Sequence, residues 1–334
     1  MRLRFLAPAL LLGPLAGAAA AQTAEPEGDN GIAARYPGDL GIEKDPDVVF
    51  VEPFEQGSLQ ALFDRWEAVQ AREIMSFSAD SPPGAAGRQS LLMTYVGGKD
   101  TGGHLYRRLL PGHEKLYCRM YVKFDPACAE IHHFGTNIGG NNPHTPWPMV
   151  SAGRPTAGDK SFWVGVEPYG RSWVWDYYAY WADMRGSPPR GQTWGNSFIR
   201  DPGLRVERGK WISVELMIKL NDVGDTNGEL ACWIDGKRVS HLGKGFPSGT
   251  WVYDKFEPGK ADEGIRWDPR AGKGVPIPGG RPFEGFRWRT SPGLRINSVW
   301  PYLYMTRAPA GSLNRVWFDG IVAARKYIGP LKKE

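Results

Sequence analysis

The sequence predicts an all-β protein built as one antiparallel β-sandwich domain. Glycine and proline number 43 and 28 among 334 residues, well above their ordinary combined share of about 12%, which is typical of many short strands joined by turns. Several segments alternate apolar and polar residues with the period of two that a half-buried strand requires. The chain shows no βαβ alternation and no internal repeat. A helical bundle and a parallel α/β fold are therefore excluded.

The N-terminus has the pattern of a secretory signal peptide over residues 1–21. Arg2 and Arg4 precede an apolar run from Phe5 to Leu15, and Ala19–Ala21 form an A-x-A cleavage site. The run is too short to span a bilayer, and a buried N-terminal helix is the alternative interpretation. Cleavage removes two arginines and no acidic residue, so the net charge falls from +5 to +3. We expect the mature protein to be secreted or periplasmic.

The rest of the chain is expected to hold a leader and one domain. Residues 22–46 are polar and predict a flexible leader, and residues 47–330 predict the sandwich domain, which we expect to be a monomer. The three cysteines, Cys118, Cys128 and Cys232, allow at most one internal disulfide in an oxidising compartment. Buried free thiols are expected, and a disulfide between Cys118 and Cys232 stays open.

Seven segments have the alternation of a β-strand. They are Leu116–Phe124, Ser161–Tyr169, Trp173–Trp181, Lys210–Asn221, Glu229–Ile234, Ile296–Met305 and Arg315–Ala323. The pairs Asn227-Gly228 and Asp235-Gly236 are typical of two-residue hairpin turns, because both residue types accept left-handed backbone angles. These turns predict a β-meander between residues 210 and 240.

The segments between the predicted strands are long. Residues 58–72 fit a short helix or another strand. Residues 135–160, 185–203 and 243–293 are predicted to be loops, and loops of that length in a compact domain are usually functional. We expect them to form the walls of a cleft.

The strand predicted at Leu116–Phe124 carries charged and aromatic residues on one face. Apolar residues occupy the other face, so Arg119, Tyr121 and Lys123 share the polar one. A row of this kind in a concave sheet would hold an anionic sugar chain, and Lys219 of a second strand would add a cation. A solvated convex face with ordinary cation and aromatic pairs is the alternative.

Four stretches resemble one known fold. They are LYCRMYVKFD (116–125), GKWISVELMIKLN (209–221), GELACWIDGKRV (228–239) and VWFDGIVAARKYIGP (316–330). Together they look like the concanavalin A-like jelly roll, and within it they most resemble polysaccharide lyases of the alginate, glucuronan and heparin lyase type. Carbohydrate-binding modules and glycosidases share this fold, although the E-x-D-x-x-E signature of laminarinase-like glycosidases is absent.

The resemblance implies cleavage of a uronate-containing polysaccharide by β-elimination. The proton on the carbon beside the carboxylate is removed, and the glycosidic oxygen at the β position leaves. Arg, Asn, Gln or protonated His is suited to neutralise the carboxylate, while Tyr or neutral His is suited to move protons. The expected partner is therefore an acidic polysaccharide or another carbohydrate.

Four residues are predicted to be catalytic, and the first two are Arg119 and His132. Arg119 would hold the substrate carboxylate, and His132 would act as base or polarise that carboxylate, with His133 as the second choice. Glu130 and His132 are spaced as in the short Gln-x-His strand of some alginate lyases, with Glu in place of Gln. The alternative is that this histidine is structural, with its hydrogen bonds made to backbone groups.

The other two predicted catalytic residues are tyrosines. Tyr178 and Tyr180 lie on the polar face of one predicted strand, and one of them would be the acid and also serve as base. Aromatics with hydroxyls in water are the alternative. Glu167 and Asp176 could bind sugar hydroxyls, and as a pair they would suit a glycosidase acid and base.

The predicted substrate-binding residues are polar or aromatic. They are Tyr121, Lys123, His133, Asn141, Asn142, Trp147, Trp163, Glu167, Asp176 and Lys219. Trp147 and Trp163, together with Trp194 and Trp300, are candidate platforms on which pyranose rings stack. A plain Asn and Gly loop is the alternative for residues 139–142.

No cofactor is predicted to be required, although the resemblance implies a structural calcium ion. Its ligands would be Glu52 or Glu55 with Asp319. With six histidines and no H-x-H, H-E-x-x-H or C-x-x-C pattern, the sequence lacks a zinc signature. It also lacks a basic stripe or a phosphate loop for nucleic acid. The leading hypothesis is thus a secreted polysaccharide lyase, with a non-catalytic carbohydrate-binding protein and a glycoside hydrolase as alternatives.

Overall fold

The structure is a computed structural model that describes residues 25–99, 102–149 and 152–332, without the side chain of Thr136. The predicted signal peptide lies outside these ranges. The described strands are β1 (Val48–Glu52), β2 (Ala68–Gln70), β3 (Met75–Ser78), β4 (Ser90–Val96), β5 (Gly102–His113), β6 (Lys115–Phe124), β7 (His133–Asn141), β8 (Ser161–Tyr169), β9 (Val174–Tyr180), β10 (Trp211–Lys219), β11 (Glu229–Ile234), β12 (Lys237–Leu242), β13 (Ser248–Val252), β14 (Lys255–Pro258), β15 (Gly264–Asp268), β16 (Lys273–Ile277), β17 (Arg281–Pro282), β18 (Ile296–Tyr304) and β19 (Leu313–Ala324).

Helices are few and short in the described residues. The α-helix α1 spans Leu59–Phe63, and Ser58 caps it by accepting a hydrogen bond from the amide of Ala61. The 3₁₀-helices span Ile32–Arg35, Pro37–Asp39, Ile42–Lys44, Arg72–Ile74 and Gly170–Ser172. No helix in the described part of the chain has the length and apolarity needed to cross a membrane.

The strands form three sheets, which confirms the prediction of an antiparallel β-sandwich. An eight-stranded sheet has the order β12-β11-β10-β6-β19-β4-β3, with β1 also paired to β19. A six-stranded sheet has the order β2-β5-β18-β7-β8-β9. The remaining sheet has five strands, β13 to β17, and contains one parallel pair, β13 with β15.

The main core lies between the eight-stranded and the six-stranded sheet. The inward residues of β6 and β8, including Phe124 and Phe162, belong to one buried cluster. Phe134 of β7 links the sheets, because its ring centroid lies 4.9 Å from that of Phe124 and 5.4 Å from that of Phe318 in β19. The alternation predicted from the sequence thus correctly assigns the buried face of β6 and of β8.

All seven predicted strands are present, with ends within two residues of the predicted ones. The strands at Ser90–Val96, Gly102–His113 and His133–Asn141 were not predicted, because glycine and mixed polarity mask their alternation. The segment 243–293 was predicted to be a loop, and it instead contains the five-stranded sheet. Trp251 of that sheet packs against Phe198, with ring centroids 5.6 Å apart.

One predicted hairpin turn is right and one is wrong. Asp235 and Gly236 have φ angles of 49° and 78° and join β11 to β12. At the other pair, the connection runs from the end of β10 at Lys219 to the start of β11 at Glu229. Asn227 does not form a two-residue turn there, because its amide group donates to the carboxylate of Asp222 within a longer loop.

The three cysteines are buried free thiols, as predicted. Cys118 of β6 and Cys232 of β11 each pair with Leu216 of β10, on opposite sides of that strand. One strand therefore separates them, and a disulfide between them does not form.

The prediction of a flexible leader is wrong for residues 25–46. Ile32 and Ile42 are buried in a second apolar cluster on the outer face of the eight-stranded sheet, and the amide of Ala33 donates to the carbonyl of Ile328 at 2.8 Å. These apolar residues are isolated in a polar stretch, so only contacts with the distant C-terminal segment reveal that they are buried.

The polar face of β6 is covered by this N-terminal segment and by the C-terminus, so its predicted role in binding a sugar chain is wrong. Arg119 is fully buried and donates to Asp39 and to the carbonyl of Gly329. The hydroxyl of Tyr121 accepts from the amide of Leu331.

The two lysines of the same prediction also have local partners. Lys123 pairs with Asp80, and Lys219 pairs with Glu229 through an Nζ–Oε1 distance of 2.7 Å. Both belong to the eight-stranded sheet, which is separated from the six-stranded sheet by the core. Neither lysine lies in the groove described below.

Candidate active site

The candidate site is a groove on the face of the six-stranded sheet that points away from the core, here called the groove face. Two cavities share His133, Ala152, Tyr178 and Tyr304 along it. The aromatic cavity, of about 290 Å³, is otherwise lined chiefly by Gln70, His104, Trp163, Tyr180, Trp300 and Tyr302. The outer cavity, of about 750 Å³, is otherwise lined chiefly by Glu130, His132, Glu167, Trp194, Asp254 and Arg307.

Stacked aromatic rings form the aromatic cavity. Trp163 of β8 is directly opposite Tyr180 of β9, and their rings stack with centroids 4.7 Å apart. Trp300 stacks on Tyr302 of the same strand, β18, at 4.6 Å. Such rings present apolar faces with polar tips, which suits the mixed surface of a sugar ring. The predictions that Trp163 and Trp300 face a cleft agree with this arrangement.

Two tyrosine hydroxyls meet at the edge of the aromatic cavity. Tyr178 and Tyr180 lie two residues apart on β9, so period-two alternation brings both to the groove face, and their Oη atoms are 3.3 Å apart. The amide of Gly153 donates to Oη of Tyr180. Burial raises the pKa of both hydroxyls. At neutral pH both are therefore protonated and able to donate.

A histidine–glutamate pair adjoins these tyrosines. Nδ1 of His133 lies 3.3 Å from Oε2 of Glu167, and the His133 ring packs on the Tyr178 ring with centroids 4.3 Å apart. The amide of Phe134 also donates to Glu167, whose pKa is raised by burial. With Nδ1 held by the carboxylate, Nε2 is the nitrogen that can take up a proton.

His132 lies beside this pair rather than in the strand predicted for it. β7 begins at His133, so Glu130 and His132 precede the strand. The His132 ring stacks on His133 at 4.3 Å, and its Nδ1 lies 2.9 Å from the hydroxyl of Thr306. Burial, with the nearby His133 and Arg307, lowers the pKa of His132. Geometry therefore favours His133, the second choice of the sequence analysis, as the base.

Four predicted substrate-binding residues do not reach the groove. Asp176 is fully buried, and its Oδ1 accepts hydrogen bonds from the amides of Tyr177, Phe198 and Ile199, so its role is structural. Asn141 is buried and bonded to Tyr106 and Asn297, Asn142 donates to the carbonyl of Asp159, and Trp147 is exposed outside both cavities. The two asparagines therefore form hydrogen bonds within the loops and strands around them.

Comparison with solved structures identifies the fold. The marine PL-14 alginate lyase from Aplysia kurodai matches with a TM-score of 0.53 and 13% sequence identity, over 83% of this chain and 98% of that chain. The chain has the jelly-roll fold of this lyase. An alginate lyase from Chlorella virus (TM-score 0.49, 10% identity, 84% and 100% covered) and endo-beta-1,4-glucuronan lyase from the fungus Trichoderma reesei (TM-score 0.42, 16% identity, 83% and 95% covered) also match.

The likeness to the Aplysia alginate lyase is one of fold, and it confirms the resemblance drawn from the four sequence stretches. No family model matches the chain, and no curated protein is similar to it in sequence.

Several residues that line the groove were not predicted from the sequence. Tyr302 and Tyr304 follow Trp300 at the same alternation on β18, so a count of aromatics along that predicted strand would have found them. His104 and Gln70 come from strands whose alternation is weak, β5 and β2. Burial lowers the pKa of His104 to about 4, so its imidazole is neutral at neutral pH.

Gly195 positions the catalytic candidate Tyr178. Its φ is +96°, and a Cβ there would lie 2.4 Å from Cδ2 of Tyr178. Because a displacement of about 1 Å costs about 10²-fold in rate, we expect Gly195→Ala to lower kcat by about that factor. The measurement is steady-state kinetics on any polysaccharide for which activity is detected.

Gly259→Ala is the matched control for Gly195→Ala. Gly259 also has a positive φ, +77°, but no atom lies within 4 Å of the added Cβ. Both variants therefore carry the same kind of backbone strain, and only the first disturbs Tyr178. Equal kcat values for the two variants would contradict the positioning role of Gly195.

The predicted calcium ligands occupy one cavity but do not converge. Glu55 and Asp319 line it together with Asp39, yet Glu55 already accepts two backbone amides and Asp39 pairs with Arg119. Glu52, the other candidate, accepts from Arg65. In the described residues, no three acidic or histidine ligand atoms come together there within 4.8 Å. Calcium prefers six to eight oxygens, so this set does not fit a closed calcium site, and the ion stays a prediction.

Proposed function

We propose that the protein is a secreted polysaccharide lyase that cleaves a uronate-containing polysaccharide by β-elimination. The observation that carries the proposal is the Tyr178–Tyr180 hydroxyl pair packed against the His133–Glu167 pair in an aromatic groove. The alginate lyase fold agrees with it. Secretion is supported by the signal-peptide pattern of residues 1–21.

The residues divide the proton transfers between them. Nε2 of His133 takes the proton from the carbon beside the carboxyl group, and Glu167 stabilises the resulting imidazolium through Nδ1. The electron pair forms the new carbon–carbon double bond, and the bond to the glycosidic oxygen breaks. Tyr178 gives its proton to that oxygen, and Tyr180 hydrogen-bonds the tyrosinate that remains. Trp163 and Trp300 hold the sugar rings in place.

A glycoside hydrolase is less well supported. Its acid and base would be Glu167 and Asp176, but the Asp176 carboxylate is buried and bonded to backbone amides. A non-catalytic carbohydrate-binding protein would use the same aromatic groove. That alternative predicts saccharide affinity without product, and affinity that survives joint replacement of His132, Tyr178 and Tyr180.

The test is incubation of the secreted protein with alginate, glucuronan, galacturonan, their methyl esters and glycosaminoglycans. We expect an absorbance rise from the unsaturated product on at least one polymer, and we expect it to be lost in His133→Ala. The control is His144→Ala, an exposed histidine outside both cavities. Saturated reducing ends would instead indicate a hydrolase, and no product on any polymer would contradict the proposal.

A further inference from the structure

We propose that the uronyl carboxyl group accepted by this site is uncharged, in the form of an ester, so that the protein prefers an esterified polyuronide to the free polyacid. The inference rests on the proposed lyase function and specifies its substrate class. It comes from the distribution of charge along the groove.

The described lining of the aromatic cavity has no Lys or Arg side chain to pair with a carboxylate. Among the described residues that line it, none is Lys, Arg, Asp or Glu. The four internal residues outside the described ranges, Asp100, Thr101, Val150 and Ser151, add no basic residue. Its polar groups are tyrosine hydroxyls, the Gln70 amide and two imidazoles, of which His104 is neutral because burial lowers its pKa to about 4.

The outer cavity has no excess of positive charge. Glu130, Glu167 and Asp254 line it, against the single guanidinium of Arg307 among its described lining residues. Arg171 and Lys255 pair with Glu130 and Asp254 at 3.2 and 2.9 Å, which offsets those charges without leaving a positive excess. A chain with one carboxylate on every sugar would find a single guanidinium, that of Arg307, among the described residues that line this cavity.

A further cation of the same sheet is already bound. Arg108 of β5 donates to both carboxylate oxygens of Glu67 at 2.9 to 3.1 Å and also lies 2.9 Å from His144. Arg119, Lys123 and Lys219 are on the eight-stranded sheet. Among the described residues, Arg307 is therefore the one Lys or Arg that lines the groove, and it lies in the outer cavity.

The chemistry of elimination differs between the two forms of substrate. Removal of the proton beside a free carboxylate creates a second negative charge on the same group, and a buried cation is what stabilises such a charge. An ester yields a singly charged enolate, which neutral donors such as Tyr178, Tyr180 and Gln70 can stabilise. The apolar walls, Trp163, Trp300 and Leu303, also suit the alkyl group.

The step balances without any further reactant. His133 takes the proton from the carbon beside the ester, the carbon–oxygen bond to the leaving sugar breaks, and the double bond forms. Tyr178 supplies the proton that the leaving oxygen takes. The ester bond stays intact, so the product is an unsaturated uronyl ester.

The experiment compares free and methyl-esterified forms of the same galacturonan, glucuronan and alginate. We expect kcat/KM to be about tenfold or more higher on the ester, because a carboxylate is costly to bury in a cavity whose described lining has no Lys or Arg. For the ester, we expect kcat/KM to change less than about twofold between low and high salt, since an uncharged substrate has little electrostatic attraction that salt could screen. Both are read from product absorbance.

The outcomes separate this inference from the proposed function. Faster or equal cleavage of the free acid would overturn the inference and leave the lyase function in place, whereas no cleavage of either form would remove the function itself. Gln70→Lys, which puts a cation into the aromatic cavity, should raise the rate on the free acid. The ratio of kcat/KM on the ester to kcat/KM on the free acid should therefore fall. Gln60→Lys, on the exposed surface of α1, is the matched control and should leave the preference unchanged.

Discussion

Replacing Tyr178 with phenylalanine is expected to lower kcat for elimination by about 10²- to 10⁴-fold, the usual contribution of a general acid. The phenylalanine ring keeps the contacts with His133 and Gly195, so the fold and the sugar platforms remain. Only the proton donor at the leaving oxygen is lost. We expect KM to change little, because the hydroxyl acts mainly in the transition state. The measurement is initial rates of product absorbance.

Tyr36→Phe is the matched control for this variant. Tyr36 packs against the apolar cluster on the outer face of the eight-stranded sheet, far from the groove, and its replacement should leave kcat unchanged. Tyr180→Phe should have a smaller effect than Tyr178→Phe, because Tyr180 acts through its hydrogen bond to Tyr178. A larger loss in Tyr180→Phe would instead make Tyr180 the acid.

Replacing Arg119 with methionine is expected to lower the free energy of unfolding by about 3–5 kcal/mol, since it removes one partner of a buried ion pair. The guanidinium is fully buried and bonds Asp39 and the carbonyls of Gly320 and Gly329. In the variant, the Asp39 carboxylate and the two carbonyl groups would lose the guanidinium that donates hydrogen bonds to them where the N-terminal segment packs on the sheet. Urea denaturation followed by fluorescence measures the change.

Arg171→Met is the comparison for stability. Arg171 is 90% exposed and pairs with Glu130, and an exposed pair contributes about 0–1 kcal/mol. Activity gives a second comparison. At a temperature where the Arg119→Met variant stays folded, the kcat of that variant should equal the kcat of the wild type, because Arg119 does not reach the groove. A loss of kcat without a loss of stability would return Arg119 to the catalytic residues.

Period-two alternation was enough to predict much of the groove. On β8 and β9 it assigned Trp163, Glu167, Tyr178 and Tyr180 to the face opposite the core, and all four lie in the groove. The reason is geometric, since successive side chains of a strand point to opposite faces. The same rule placed the apolar residues of β6, β8 and β10 on the core side, where they are buried.

The same rule failed for Arg119, Tyr121 and Lys123 for a physical reason. Alternation reports whether a side chain points toward or away from the core, but a two-sheet sandwich has two outer faces. Residues 25–46 and the C-terminal segment cover one of them, and the loops after β7 and β9 enclose the other. Which face is covered depends on contacts between residues almost 300 positions apart, such as Ala33 with Ile328, and no local pattern carries that information.

The sequence by itself determined the all-β class, the strand faces, the resemblance to jelly-roll lyases and the two tyrosines of the candidate site. Only the tertiary structure decided that His133 rather than His132 is paired with Glu167, that Asp176 is structural, and that no Lys or Arg is among the described residues that line the aromatic cavity. Strand faces follow from backbone geometry within a few residues. A site, its burial and its charge arise from side chains that six separate strands bring together, so they exist only once the sheet has formed.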